Sequence, residues 1–176
     1  VTGKRFIFQY ALSLMYEFDT YRHGIKNSIK RRLYKRCLSG ISKTKLYEAG
    51  RISSDNLNQL EEVVNCLHEL HKKNYIIWIV TATPAPFVKG IIDQWGWPVD
   101  KVIGTELYLN NNIYTGDFGS ECMREEKVRR INELIKKEKL EPVIEVAYGN
   151  LPVDMPMMGL ASKKYAVEGK KIEIIN

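Results

Sequence analysis

Ile144-Glu-Val-Ala-Tyr-Gly-Asn-Leu-Pro-Val-Asp154-Met-Pro-Met-Met158 runs a hydrophobic strand into a glycine, then sets an amide at Asn150 and a carboxylate at Asp154. A strand, a tight turn and two oxygen donors at the carboxyl edge of a sheet can cradle a hard cation such as Mg²⁺ in an α/β protein. Asn and Asp also share many ordinary loops. The segment therefore takes its meaning from what lies upstream.

There the hydrophobic period changes twice. Tyr75-Ile-Ile-Trp-Ile-Val80 is a continuous apolar run, as expected of a strand buried on both faces of a parallel sheet. Thr81-Ala-Thr-Pro-Ala-Pro86 turns the chain into a helix carrying Phe87, Val88, Ile91, Ile92 and Trp95, closed by Gly96. Val102-Ile-Gly-Thr105 is expected as the next strand. Leu107-Tyr-Leu and Ile113-Tyr-Thr around Asn110-Asn-Asn112 predict a small hairpin. A helix follows from about Glu125 to Lys139 with Val128, Ile131, Leu134 and Ile135 inward, then strands over 142–147 and 164–167. Before these, helices are expected over 6–18 and 25–38, broken near Gly24 and stopped at Gly40. Asp55 is expected to cap a third helix whose apolar face is Leu57, Leu60, Val63, Val64, Leu67 and Leu70. Alternating helix and strand predict right-handed crossovers and a doubly wound α/β sheet.

Length and composition fit one globular unit. The chain has 176 residues, 44% of them hydrophobic and 27% charged. The apolar stretch from Phe6 to Met15 is too short to span a bilayer, and no secretory leader pattern follows it. Cys37, Cys66 and Cys122 are odd in number and unpaired in spacing, which predicts reduced thiols, a packing role and a cytoplasmic setting. None has metal-ligand spacing with another cysteine or with His23, His68 or His71.

The net charge of +6 is concentrated in Lys26, Lys30, Arg31, Arg32, Lys35 and Arg36, on the helical stretch Ile25–Arg36. Three readings of that stretch are open. A solvated helix ranks first and a weak membrane-surface contact second. Nucleic acid ranks last and is not expected as a partner, because no base-stacking or base-reading motif accompanies the charge.

Three groups fall at strand ends or on the helix beside one. Thr81 follows Val80 directly, Lys127 lies near the start of the 125–139 helix, and Asn150 and Asp154 follow the strand after it. Each has an ordinary alternative: a helix cap for Thr81, a surface lysine for Lys127, a turn former for Asp154. Together and in this order they supply a hydroxyl, an ammonium and a metal-binding pair. Phosphoryl transfer needs such groups around phosphate oxygens, where catalysis is mainly placement and charge neutralisation.

At these residues the chain resembles the phosphoserine phosphatase-like branch of the haloacid dehalogenase superfamily. Val80-Thr-Ala-Thr-Pro84 with Phe87-Val88 resembles the second motif of that branch, Glu126-Lys127-Val128 the third, and Tyr148-Gly-Asn150 through Met158 the fourth. Gly104-Thr-Glu106, the hairpin and Tyr114-Thr-Gly116 follow the same pattern, and the likeness extends over 38–175. It implies that Thr81 and Ala82 bind the phosphoryl oxygens and that Lys127 steadies nucleophile and phosphate. It also implies that Asp154 and Asn150 form a Mg²⁺ site, although Asn150 stands where an aspartate is usual.

The implied fold is a Rossmann-like sheet with a small N-terminal helical cap, residues 1–50, on a core of residues 51–176. The implied activity is Mg²⁺-assisted hydrolysis of a small phosphomonoester. The first motif of the family, an Asp-x-Asp closing the central strand, has no counterpart. Asp19 follows a helical pattern and has Tyr21, not an aspartate, two residues on. The expectation is therefore either a gene product lacking its 5′ portion, which Val1-Thr-Gly-Lys-Arg5 favours, or a divergent member. Function is expected to be that of a crippled hydrolase domain, the alternative being a non-catalytic phosphate-binding or interaction domain. Without the central strand an apolar sheet edge would stay open, inviting oligomers or a replacement strand.

Overall fold

A computed structural model of the chain describes residues 22–169 and 171–175; the expected helix over 6–18 and Asp19 lie outside them. The first described helix, α1 (Arg22–Leu38), runs through Gly24 rather than breaking there, and ends before Gly40 as expected. Next comes a helix that periodicity did not reveal, α2 (Lys43–Ser53), capped by Ser42, whose hydroxyl accepts the Lys45 N–H at 3.2 Å. Asp55 falls in a 3-10 turn, and α3 starts later, at Glu61–Lys72, leaving Leu57 exposed. Glu61 and Glu62 in the first turn of α3 suit the positive end of the helix dipole.

Strand β1 (Trp78–Pro84) begins and ends later than expected, taking in Thr81–Thr83, and α4 (Ala85–Trp95) follows at once with Gly96 closing it in the left-handed region. β1 pairs in parallel with β2 (Lys101–Thr105), and β3 (Leu107–Asn110) with β4 (Ile113–Phe118) forms the expected hairpin. α5 (Glu125–Glu138) leads to β5 (Val146–Gly149), then the one-turn α6 (Met155–Met158), β6 (Lys163–Glu168) and an unforeseen β7 (Lys171–Ile175). β6 pairs in parallel with β5 and antiparallel with β7. The result is the α/β architecture expected, with parallel pairs flanked by helices.

Two packing contacts fix the helices. α2 and α4 cross where each has a glycine: a Cβ on Gly50 would stand 2.0 Å from the Phe87 carbonyl oxygen, and one on Gly90 2.1 Å from that of Tyr47. α1 lies against β4 at Gly116, whose φ of +81° and whose 2.7 Å approach to the Lys35 Cα both exclude a side chain. Leu46, Leu107, Tyr114 and Phe118 form the buried cluster there, with Tyr34, Leu38, Ile41 and Phe87 around it. α2 crosses residues 50 and 51, where cap and core were expected to divide.

Among the described residues no ladder joins β1–β2 to β5–β6–β7. Every residue of β5, and every one of β1 except Pro84, is only half-buried, where burial on both faces was expected for β1. Their starts are linked by the Tyr75 hydroxyl donating to the Glu145 carboxylate.

Candidate functional site

The end of β1 leaves the ladder. Its register with β2 slips between Val80 and Pro84, and inside that slip the Thr81 hydroxyl oxygen accepts the Thr83 N–H at 3.2 Å. Thr81–Thr83 thus form a bulged turn instead of continuing the pairing, a local geometry that re-aims backbone groups at a strand end. The turn is held from below. The Thr105 hydroxyl, almost fully buried, donates to the Ala82 carbonyl at 2.7 Å and accepts the Cys122 N–H at 3.0 Å. Cys122 is itself buried, close to the Thr81 backbone. Burial pushes its thiol up, while the nearby positive charges of Arg130 and Lys127 pull the other way.

Lys127 sits on the first turn of α5, 6% exposed, and its ammonium donates to Asp154 Oδ1 at 2.6 Å. The other oxygen, Oδ2, accepts the Asn150 backbone N–H at 3.1 Å. Gly149 permits this: a Cβ there would lie 2.6 Å from the Asp154 Cβ. The aim of α5 is set by Arg130, also buried, which donates to the carbonyls of Gly104 at 2.9 Å and Ser120 at 3.0 Å and to Glu126 at 2.8 Å. Glu126 is held down at about 2, first by its hydrogen bonds to Arg129 and then, against the opposing effect of burial, by Arg130.

Of the five residues singled out in the sequence, Lys127 and Asp154 are in direct contact; Ala82, next to Thr81, is held by Thr105, which binds Cys122, a thiol that feels the Lys127 charge. Asn150 reaches Asp154 through its backbone alone, and the residue is exposed. Arg130, Thr105 and Cys122 were missed as parts of the site. Only the Glu126–Arg130 spacing of four, a helix-face ion pair, announces one of them.

The basic segment is largely spoken for. Arg31 donates to the carbonyls of Phe118 at 2.8 Å and Gly119 at 3.0 Å, Lys35 pairs with Asp117, and Lys30 pairs with Glu121. Of the cysteines, Cys122 is buried and Cys66 half-buried, while Cys37 is exposed and does not have the expected packing role. No helix among the described residues is long and apolar enough to cross a membrane.

A Mg²⁺ site of the expected kind was tested against these donors. Among the described residues no three His, Cys, Asp or Glu side chains converge. Among the described residues Asp154 is the carboxylate that follows the end of β5, and both its oxygens are engaged. The described donors alone do not fit Mg²⁺, which prefers octahedral oxygen coordination with carboxylate charge.

With this geometry in place, comparison with known proteins defines the class. The haloacid dehalogenase-like hydrolase family matches residues 6–159, and the chain belongs to that family. Among solved structures, a phospho-aspartyl intermediate analogue of phosphoserine phosphatase shares the fold, with a TM-score of 0.54 at 20% identity. The match covers 82% of this chain and 66% of that one, so the chain spans about two thirds of that structure's length. No curated protein matches the sequence.

Proposed function

We propose that the chain carries the phosphate-binding half of a phosphomonoester hydrolase site. Thr81 and the Ala82 peptide would hold the phosphoryl oxygens, and Lys127 would neutralise their charge. The observation that carries this reading is the buried Lys127 ammonium, fixed on Asp154 and sharing Cys122 as a neighbour with the bulged end of β1. A preorganised cation, screened from water and set near a strand-end peptide, is what stabilises a transferring phosphoryl group. The structural relative is a phospho-aspartyl intermediate analogue, so an acidic nucleophile is the chemistry to look for. None of the residues identified here supplies it, and a divalent cation would need at least one further carboxylate beside Asp154. The proposed setting is an aqueous one, with a small phosphorylated ligand and no nucleic acid. The cap would be residues 1–50, and a membrane-surface role for α1 has lost two of its six cations, Lys30 and Lys35, to internal ion pairs.

The alternative is a non-catalytic domain that retains the phosphate pocket. Its support is that both Asp154 oxygens are already engaged, by the Lys127 ammonium and the Asn150 N–H. One pair of measurements separates the two. Calorimetric titration with inorganic phosphate should give binding that Lys127→Ala removes. The chain should not hydrolyse an aryl phosphate with Mg²⁺ above background, since losing a nucleophile costs several powers of ten. Robust turnover lost on Asp19→Asn would mean that the first motif is present after all.

A further inference from the structure

A second lysine–carboxylate pair, apart from the Lys127–Asp154 pair of the site derived above, stands at the end of β1. It is Lys30 with Glu121, brought in by α1. The Lys30 ammonium lies 3.4 Å from the Ala82 carbonyl oxygen, and Glu121 directly precedes Cys122, whose N–H donates to the Thr105 hydroxyl that holds the same carbonyl. The ring of Tyr34 stands 5.3 Å from the same ammonium.

The two pairs differ in a way that matters. Asp154 is 14% exposed and tied to a backbone N–H as well as to Lys127, so it stays where it is. Lys30 and Glu121 are 25% and 21% exposed, open enough for an incoming anion to compete. Lys30 is also dispensable for docking α1. Arg31 on the carbonyls of Phe118 and Gly119, Lys35 on Asp117, and Tyr34 against Phe118 at 5.2 Å hold the helix to β4. A lysine placed at the site, partly accessible to solvent and not needed as a clamp, can serve a ligand.

We propose that Lys30 is the second cation of the anion site, held in reserve by Glu121 and transferred to the ligand's oxyanion when it binds. The proposal rests on the reading of Thr81, Ala82 and Lys127 as a phosphate pocket, and adds that the helix α1 completes it. A phosphate dianion carries more charge than the Glu121 carboxylate it displaces, and an ammonium's hydrogen bonds to it are charge-assisted on both sides.

The test uses inorganic phosphate, titrated calorimetrically at fixed ionic strength with EDTA present, on the whole chain and on variants whose melting confirms folding. Lys30→Gln should weaken binding about tenfold or more, and Lys30→Arg should restore most of it. Glu121→Gln, by releasing Lys30, should tighten binding severalfold. A merely structural pair gives the opposite sign: Glu121→Gln would then weaken binding just as Lys30→Gln does, and the proposal falls. It falls alone if phosphate binding needs Lys127 but ignores Lys30. If the wild type binds no phosphate, the pocket itself is misread and the role of Lys30 goes with it. Should Lys30→Gln not fold, the sign of the Glu121→Gln effect still decides.

Discussion

At the scale of single residues, the Lys127–Asp154 pair dominates, because it is nearly buried and its partners are few. Removing one member leaves the other charged and unpaired in a poorly solvated place. Asp154→Ala should therefore cost ~3–5 kcal/mol of stability, whereas Lys127→Met combined with Asp154→Leu should recover most of it. Denaturant melts of the three proteins read this directly, and a loss below about 1 kcal/mol for Asp154→Ala would mean that the pair is not the anchor. The same pair bears on the cation. Asn150→Asp adds a carboxylate beside Asp154 and should raise Mg²⁺ affinity by about tenfold, ~1.4 kcal/mol, while Asp154→Ala should remove what binding there is. An Mg²⁺ titration indifferent to both changes would take the metal out of the account. Glu126 supplies a pH test. Its carboxyl is held at about 2 in the folded chain, against an ordinary value of about 4.3. A lowered folded value stabilises fully above the ordinary one and is lost as pH falls towards about 2. Glu126→Gln should thus flatten the stability curve between about pH 4.3 and 2 and leave its slope near neutrality unchanged.

At the scale of elements, what the sequence disclosed and what it hid follow from how each element is held. α4 and α5 were legible because each buries an apolar stripe at helical spacing, and the hairpin because Asn110-Asn-Asn112 is turn chemistry between strand formers. α2 was hidden for the opposite reason. It buries Leu46 and Gly50, and its contact with α4 is made by backbone meeting backbone at two glycines, which leaves no hydrophobic period to read. β1 was placed too early because its last three residues before Pro84 bulge off the ladder, a feature set by the partner strand and not by composition. In the site, Lys127 and Asp154 could be found from motif order. Thr105 and Lys30 could not, since they act on backbone carbonyls far away in the chain, and Arg130 showed only its helix-face spacing to Glu126. The glycine contact gives a prediction with opposing terms. In isolation Gly90→Ala would favour helix α4 by ~1 kcal/mol. Here its Cβ would meet the Tyr47 carbonyl, so net destabilisation by about 1–3 kcal/mol or more is expected, with a lower melting temperature. A variant that melts higher would show that the helices can part at no cost.

At the scale of the whole molecule, the parallel sheet of the described residues stands in two pieces. β1 and β5 are parallel strands rich in apolar residues. Each pairs on one side among the described residues, and each is half-buried where a central strand would be enclosed. Ile76 and Val143, on the approaches to these two strands, are 72% and 81% exposed. Tyr75 and Glu145 link the strand starts through the length of two side chains, not through a ladder. Unpaired N–H and C=O groups beside apolar side chains are costly, and a strand placed between β1 and β5 would satisfy both edges at once. It would also end near Thr81, Lys127 and Asp154. Extending the chain at its amino end with an apolar strand closing in Asp-x-Asp-x-Thr should therefore have two separable effects. Thermal stability should rise from backbone pairing and burial, and that gain should persist when the new aspartates are changed to asparagine. Mg²⁺-dependent phosphatase activity should appear with the aspartates and vanish without them, and Lys127→Ala should remove most of it by exposing crowded negative charge. Melting curves and aryl phosphate turnover measured on the same four proteins keep the two effects apart. An extended chain that melts no higher than the original would mean that both strand edges are already paired from within the sequence, and the two-piece sheet would be the wrong description.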